Sequence, residues 1–247
     1  MSTAAIQSQD PEPNLAAGGS LYRIDRERNP RLARRVWLLA EMALFYIGAP
    51  IAIIWAIHAW GVPLFVALQP ILLGFIAYLL WDDSFKLRNE LAVGISARAI
   101  LFIAAVFLAL GSAVSIATYY LFPGLWLSFP RWNPNLWLFV MAAYPLLSVI
   151  PQELVYRTFF FHRYGPLFGD LGWLAILTNG ALFGFAHIIF GNWIAVAGTV
   201  VLGFILAFRY EATRSLWAVW LEHSLWGCLI FTIGLGRFFF TGVSNLN

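Results

Sequence analysis

Three short segments of this 247-residue chain set acid–base side chains among apolar neighbours. In Pro151-Gln152-Glu153-Leu154-Val155-Tyr156-Arg157, the carboxylate of Glu153 and the guanidinium of Arg157 stand four residues apart and share one helical face. In Phe183-Gly184-Phe185-Ala186-His187, the Phe183 ring lies one turn below the imidazole, and Gly184 and Ala186 are small enough for a neighbouring helix to approach. The third segment is Trp220-Leu221-Glu222-His223-Ser224. Taken singly, each has a structural explanation: an ion pair at a helix end, or an interhelical hydrogen bond from a histidine. Three separate apolar helices bring a carboxylate and two histidines together only if the bundle gathers them. Gathered, they supply a base for water and groups that orient it or stabilise an oxyanion, which are the parts needed for hydrolysis. Burial disfavours charge on Glu153 whereas Arg157 favours it. Glu222 points about 100° away from His223 around a helix. It either completes the cluster from another angle or pairs with an arginine elsewhere.

The elements that hold these residues must tolerate apolar surroundings. Hydrophobic residues make up 61% of the chain and charged residues 11%, against about 25% charged in soluble domains. A water-soluble globule of this size cannot hide so much apolar surface; a bilayer can. Apolar runs near the ~20 residues needed to span the hydrocarbon recur along the chain. They are continuous rather than alternating at period two, which selects helices over a barrel. The sequence therefore predicts an all-α transmembrane bundle of about seven or eight helices. Spans are expected at about 36–60, 62–81, 96–121, 134–151, 172–190, 192–209 and 214–236. A further amphipathic or half-buried helix is expected over about 152–164, with Pro151 in its first turn. Residues 1–35 are expected to be a disordered, basic, cytoplasmic segment without the features of a signal peptide, and 36–247 a single membrane domain.

Charge and cysteine usage narrow the function. The net charge of +3 does not point to nucleic acid, because Arg23, Arg26, Arg28, Arg31, Arg34 and Arg35 cluster before the first span as a topology signal. Lys86, Arg88, Arg98, Arg157, Arg163, Arg209 and Arg214 fall on that same side if the spans alternate, and Arg131 on the other. The positive-inside rule then places the N-terminus in the cytoplasm, in a plasma membrane such as the bacterial inner membrane. Trp126, Trp132 and Trp137 suit an aromatic belt at the outer interface. The single cysteine, Cys228, excludes an intramolecular disulfide and cysteine-based metal sites. Glu41 is the remaining acid against an apolar segment; His58 lies near the outer end of the first span and His162 in a polar turn.

In order and spacing, the three segments resemble the motifs of the CAAX-protease and bacteriocin-processing family of intramembrane endopeptidases, also called the Abi family. That pattern is Glu-Glu-x-x-x-Arg, then Phe-x-x-x-His, then a His with Asn four residues later. Here it reads Gln152-Glu153-x-x-x-Arg157, Phe183-x-x-x-His187, and His223 followed by Gly227 in place of the asparagine, across about residues 134–232. The resemblance implies hydrolysis of a peptide bond of a membrane-associated protein or peptide, with a glutamate and a histidine activating water and a second histidine with its asparagine stabilising the oxyanion. Catalytic candidates are thus Glu153, His187, His223, Arg157 and Gln152, with Glu222, Asn192 and Phe183 in support and Asn179 as a further amide.

Two departures bear on the chemistry. Gln152 stands where the family's usual base stands, and an amide cannot serve as a base, so the role passes to Glu153, with Glu222 in reserve. Gly227 removes an oxyanion donor that Asn192 or Asn179 could replace. Two histidines and a glutamate are also a zinc ligand set, but no His-Glu-x-x-His pair is present and no cofactor is favoured. The same departures suit a catalytically silent relative that binds or protects a membrane protein. A small proton-coupled carrier would require two corresponding halves, and the sequence shows no such symmetry.

Overall fold

The computed structural model describes residues 31–82 and 85–239. Of the segment expected to be disordered at 1–35, residues 1–30 lie outside the described residues, and a helix starts at Leu32. Within them the chain is all-α: α1 (Leu32–Trp60), α2 (Leu64–Trp81), the short α3 (Leu87–Ala92), α4 (Ala97–Leu121), the short α5 (Ser128–Trp132), α6 (Pro134–Leu167), α7 (Gly172–Phe190), α8 (Trp193–Thr213) and α9 (Leu216–Ile233). A 3₁₀ turn, Leu235–Phe239, follows α9. Six of these helices, α1, α4, α6, α7, α8 and α9, are long and apolar enough to cross a membrane, and α2 adds the shorter apolar stretch Val66–Trp81.

Helix starts follow local chemistry. Ser96, Asn133, Asn192 and Ser215 each accept a hydrogen bond from the backbone N–H three residues on, at 3.2, 3.0, 2.8 and 3.2 Å. Each satisfies an N–H that the first helical turn leaves without a partner, so the polar caps mark where α4, α6, α8 and α9 begin. Helix α1 starts at Leu32, four residues before the expected Val36, so Arg34 and Arg35 lie within its first turn.

The main difference from expectation lies in α6. A span ending near 151 and a separate helix over 152–164 were expected; the chain instead runs helical from Pro134 to Leu167. Pro151 starts no new helix. Two π-helical stretches, Pro145–Val149 and Leu154–Phe159, widen the helix. A proline inside a regular α-helix costs about 3 kcal/mol through the lost hydrogen bond and a clash with the preceding turn. Here the widened turns take up the distortion, and neighbouring side chains satisfy backbone carbonyls. Pro145 O accepts from Trp220 Nε1 at 2.8 Å, Val155 O from the Tyr46 hydroxyl at 2.7 Å, and Tyr156 O from the Asn179 amide. Met141 O, four residues before Pro145, meets the Cys228 thiol at 3.9 Å.

The helix ends sort into two faces. On one, Arg163 pairs with Glu41 at 2.9 and 2.8 Å, Arg35 reaches Leu167 O at 3.3 Å, Tyr210 donates to Glu90 at 2.9 Å, and Ser215 to Val93 O at 3.1 Å. On the other, Asn192 donates to Phe238 O at 2.7 Å and the Phe122 and Phe238 rings lie 6.5 Å apart. Arg237 lies beside Phe238 and so joins Arg131 on this second face. Of the tryptophans expected in its aromatic belt, Trp132 is exposed, while Trp137 turns inward and donates to Thr232 at 3.1 Å.

Helices α7 and α8 make the closest approach. A Cβ on Gly184 would lie 2.1 Å from Val200 Cγ2 and 2.9 Å from its Cα, and one on Gly203 would lie 2.8 Å from Gly180 O. Only glycine lets the two backbones meet this closely. That contact fixes α7, and with it Phe183 and His187, against α8.

Candidate active site

The site forms where α6, α7 and α9 converge. Glu153 sits between the two π-helical stretches of α6 and is fully enclosed, at 0% exposure. Its Oε1 lies 2.6 Å from His223 Nδ1 on α9, across 70 positions of sequence. Its Oε2 lies 3.4 Å from Arg157 Nε, one turn further along α6. Arg157 is also enclosed, and its guanidinium carbon stacks 4.6 Å over the Phe183 ring on α7. Among the described residues its three guanidinium nitrogens make no hydrogen bond, so the carboxylate and the ring face carry its charge. A buried ion pair of this kind persists because removing either member strands the other.

Phe183 is the hub. Its ring lies 4.8 Å from that of His187, 5.6 Å from that of His223 and 5.1 Å from that of Tyr156. The two histidines thus flank one phenyl ring. His187 begins the 3₁₀ turn that ends α7, and its Nδ1 lies 2.7 Å from Phe183 O. A carbonyl only accepts, so Nδ1 carries the proton and Nε2 keeps its lone pair. His187 is half-buried, whereas His223 is enclosed at 3% exposure.

The remaining sequence candidates fall elsewhere. Gln152 turns back along α6, its amide donating to Ser148 O at 3.1 Å and Ser148 Oγ at 2.8 Å. Glu222 points away from Glu153 and is bound by Arg209 of α8 at 2.7 and 3.3 Å. Of its two readings, the pair with a distant arginine is the one formed. Asn192 caps α8 and donates to Phe190 O and Phe238 O, at 3.1 and 2.7 Å. Asn179 gives its amide to Tyr156 O. Both amides considered as oxyanion donors are therefore engaged with backbone. Among the described residues, no three His, Cys, Asp or Glu side chains gather into a group that could hold a metal ion.

One residue of the cluster lies outside the motifs. The Tyr144 hydroxyl sits 3.0 Å from His223 Nε2, and its ring fills the space beside Gly227. The only sequence signal for it was the missing side chain at 227, which shows that something else occupies that space without saying what.

No curated protein and no solved structure shows a significant match to the chain. Residues 131–229 match the family described as Type II CAAX prenyl endopeptidase Rce1-like. That stretch runs from α5 into α9 and holds every member of the cluster just described. The region of this chain that builds the site is thus the region that is similar to the Rce1-like type II CAAX prenyl endopeptidases.

Proposed function

We propose that the chain hydrolyses a peptide bond of a membrane-associated protein or peptide, with Glu153 and His223 as the pair that takes up the proton of the attacking water. The observation that carries this reading is the 2.6 Å contact between Glu153 and His223, two ionisable groups brought together from separate apolar helices. An ionised Glu153 accepts from Nδ1–H and stabilises the imidazolium that forms when Nε2 gains a proton. Arg157, 3.4 Å from Oε2, favours the ionised carboxylate and acts as a positioning residue. His187, half-buried and with a free Nε2 lone pair, accepts a hydrogen bond from the water and orients it. The water oxygen bonds to the carbonyl carbon, its proton passes to the pair, and the proton is returned to the amine as the C–N bond breaks. No step is routed through a metal. Because Glu153 is enclosed, the proton reaches it through His223 and not from water in direct contact with the carboxylate.

A second reading draws on the same enclosure. With Glu153 sealed and Gln152 tied to Ser148, a silent relative would bind a membrane protein and leave it intact.

The test is new N-termini among membrane proteins incubated with the purified chain in proteoliposomes. Glu153→Gln, His187→Ala and His223→Ala are each expected to lower their yield at least about 100-fold. His187→Ala removes neither member of the Glu153–Arg157 pair, and an unchanged melting temperature of that variant separates loss of chemistry from loss of fold. Full cleavage by Glu153→Gln would remove the base assignment, and loss in Gln152→Ala or Glu222→Ala without unfolding would redirect it. Inhibition by chelators would overturn the metal-free mechanism. Cross-linked substrate without any new N-terminus would favour the silent reading.

A further inference from the structure

Tyr144 completes a chain of hydrogen bonds that the motifs do not contain. With His223 Nδ1–H donating to Glu153 Oε1 at 2.6 Å, Nε2 of the neutral ring is an acceptor, and the Tyr144 hydroxyl donates to it at 3.0 Å. Glu153 and His223 are enclosed, at 0% and 3% exposure, but Tyr144 is half-buried. Tyr144 is therefore the least enclosed member of this chain. It is also well seated, edge-on to the Phe231 ring at 5.3 Å. The seat exists because residue 227 is glycine. A Cβ there would stand 2.2 Å from Tyr144 Cε1 and 2.4 Å from its hydroxyl oxygen. No side chain fits at 227 while Tyr144 holds His223.

We infer that Tyr144 is a catalytic residue, relaying protons between the attacking water and His223; this rests on the hydrolytic reading above. As the water oxygen bonds to the substrate carbonyl carbon, its proton passes to the Tyr144 oxygen and the phenolic proton passes to His223 Nε2. His223 becomes an imidazolium beside Glu153, and Tyr144 stays neutral. When the C–N bond breaks, Nε2 returns its proton to the Tyr144 oxygen and the phenol gives one to the leaving nitrogen. One water is consumed across the bond, and the enzyme is restored.

A space-filling role needs only the ring, whereas a relay needs the hydroxyl. Tyr144→Phe keeps the ring and is expected to lower kcat about 100-fold or more with KM little changed. In the resting protein in micelles, with ¹⁵N-labelled histidine, Tyr144→Phe should move the His223 Nε2 resonance and leave Nδ1 nearly in place. Gly227→Ala, which unseats the phenol, should produce the same Nε2 change and the same loss. Cleavage by Tyr144→Phe near the unmodified rate, while His223→Ala is dead, would overturn the relay and leave the hydrolytic site standing. Undiminished cleavage by both Glu153→Gln and His223→Ala would instead remove the hydrolytic reading. An unmoved Nε2 resonance in Tyr144→Phe overturns the relay whether or not a substrate is in hand.

Discussion

At the scale of residues, burial gives each ionisable group of this protein a partner-dependent character. Within the membrane the partners are few: Glu153 has His223 and Arg157, and Glu222 has Arg209. Glu90 shows the same physics outside the spanning helices. It lies on the short α3, accepts from the Tyr210 hydroxyl at 2.9 Å, and has its pKa raised by loss of hydration, partly offset by that hydrogen bond. A carboxyl whose folded pKa exceeds its unfolded value binds its proton more tightly in the folded state. Stability therefore falls as pH rises from the unfolded value of 4.5 through the raised folded one, and stays lower above it. Glu90→Gln keeps an acceptor for Tyr210 without the charge. Its melting temperature in detergent should exceed that of the unmodified protein at neutral pH, and the gap should close on acidification toward pH 4.5; a gap that grows instead would reverse the sign.

At the scale of elements, two devices hold the site-bearing helices in register. One is the glycine contact between α7 and α8. Gly203→Ala would push a methyl group to 2.8 Å from Gly180 O, an overpacking worth about 1–3 kcal/mol. A lowered melting temperature together with reduced cleavage is expected, because α7 carries Phe183 and His187. The other is the Arg209–Glu222 pair joining α8 to α9, with side chains only 7% and 1% exposed. Glu222→Ala alone should cost about 3–5 kcal/mol by leaving Arg209 unpaired, while Arg209→Leu with Glu222→Leu should cost less. Thermal unfolding of the single and double variants distinguishes this structural role from a catalytic one. The continuity of α6 was not legible, because Pro145 and Pro151 are break signals in sequence. Whether a π-helical turn absorbs them depends on Trp220, Tyr46 and Asn179, which reach its carbonyls from other helices.

At the scale of the whole molecule, the helix ends meet in the two groups that alternating spans require. Arg35, Arg163 and Arg214 gather on the face of Glu41 and Glu90, and Arg131 and Arg237 lie on the other. We propose that the first face, which carries the larger basic set, is the cytoplasmic one. In a Cys228→Ser background, an impermeant maleimide applied to intact cells should then label Arg131→Cys and spare Lys86→Cys; the opposite pattern would invert the orientation. Both positions are exposed, so labelling reports sidedness rather than burial.

Solvent and chemical type were legible from the sequence alone. Continuous long apolar runs select helices in a bilayer, and the rarity of charge inside them singles out Glu153, Arg157, His187, Glu222 and His223. Which of these touch was not legible, because helix rotation and crossing are decided by packing between distant segments. The tertiary structure set Glu153 on His223, sent Glu222 to Arg209, and turned Gln152 back to Ser148. It also filled the space at Gly227 with Tyr144, 83 positions earlier in the chain. A missing side chain is visible in sequence, but the group that moves into its place is chosen only when the helices close around it.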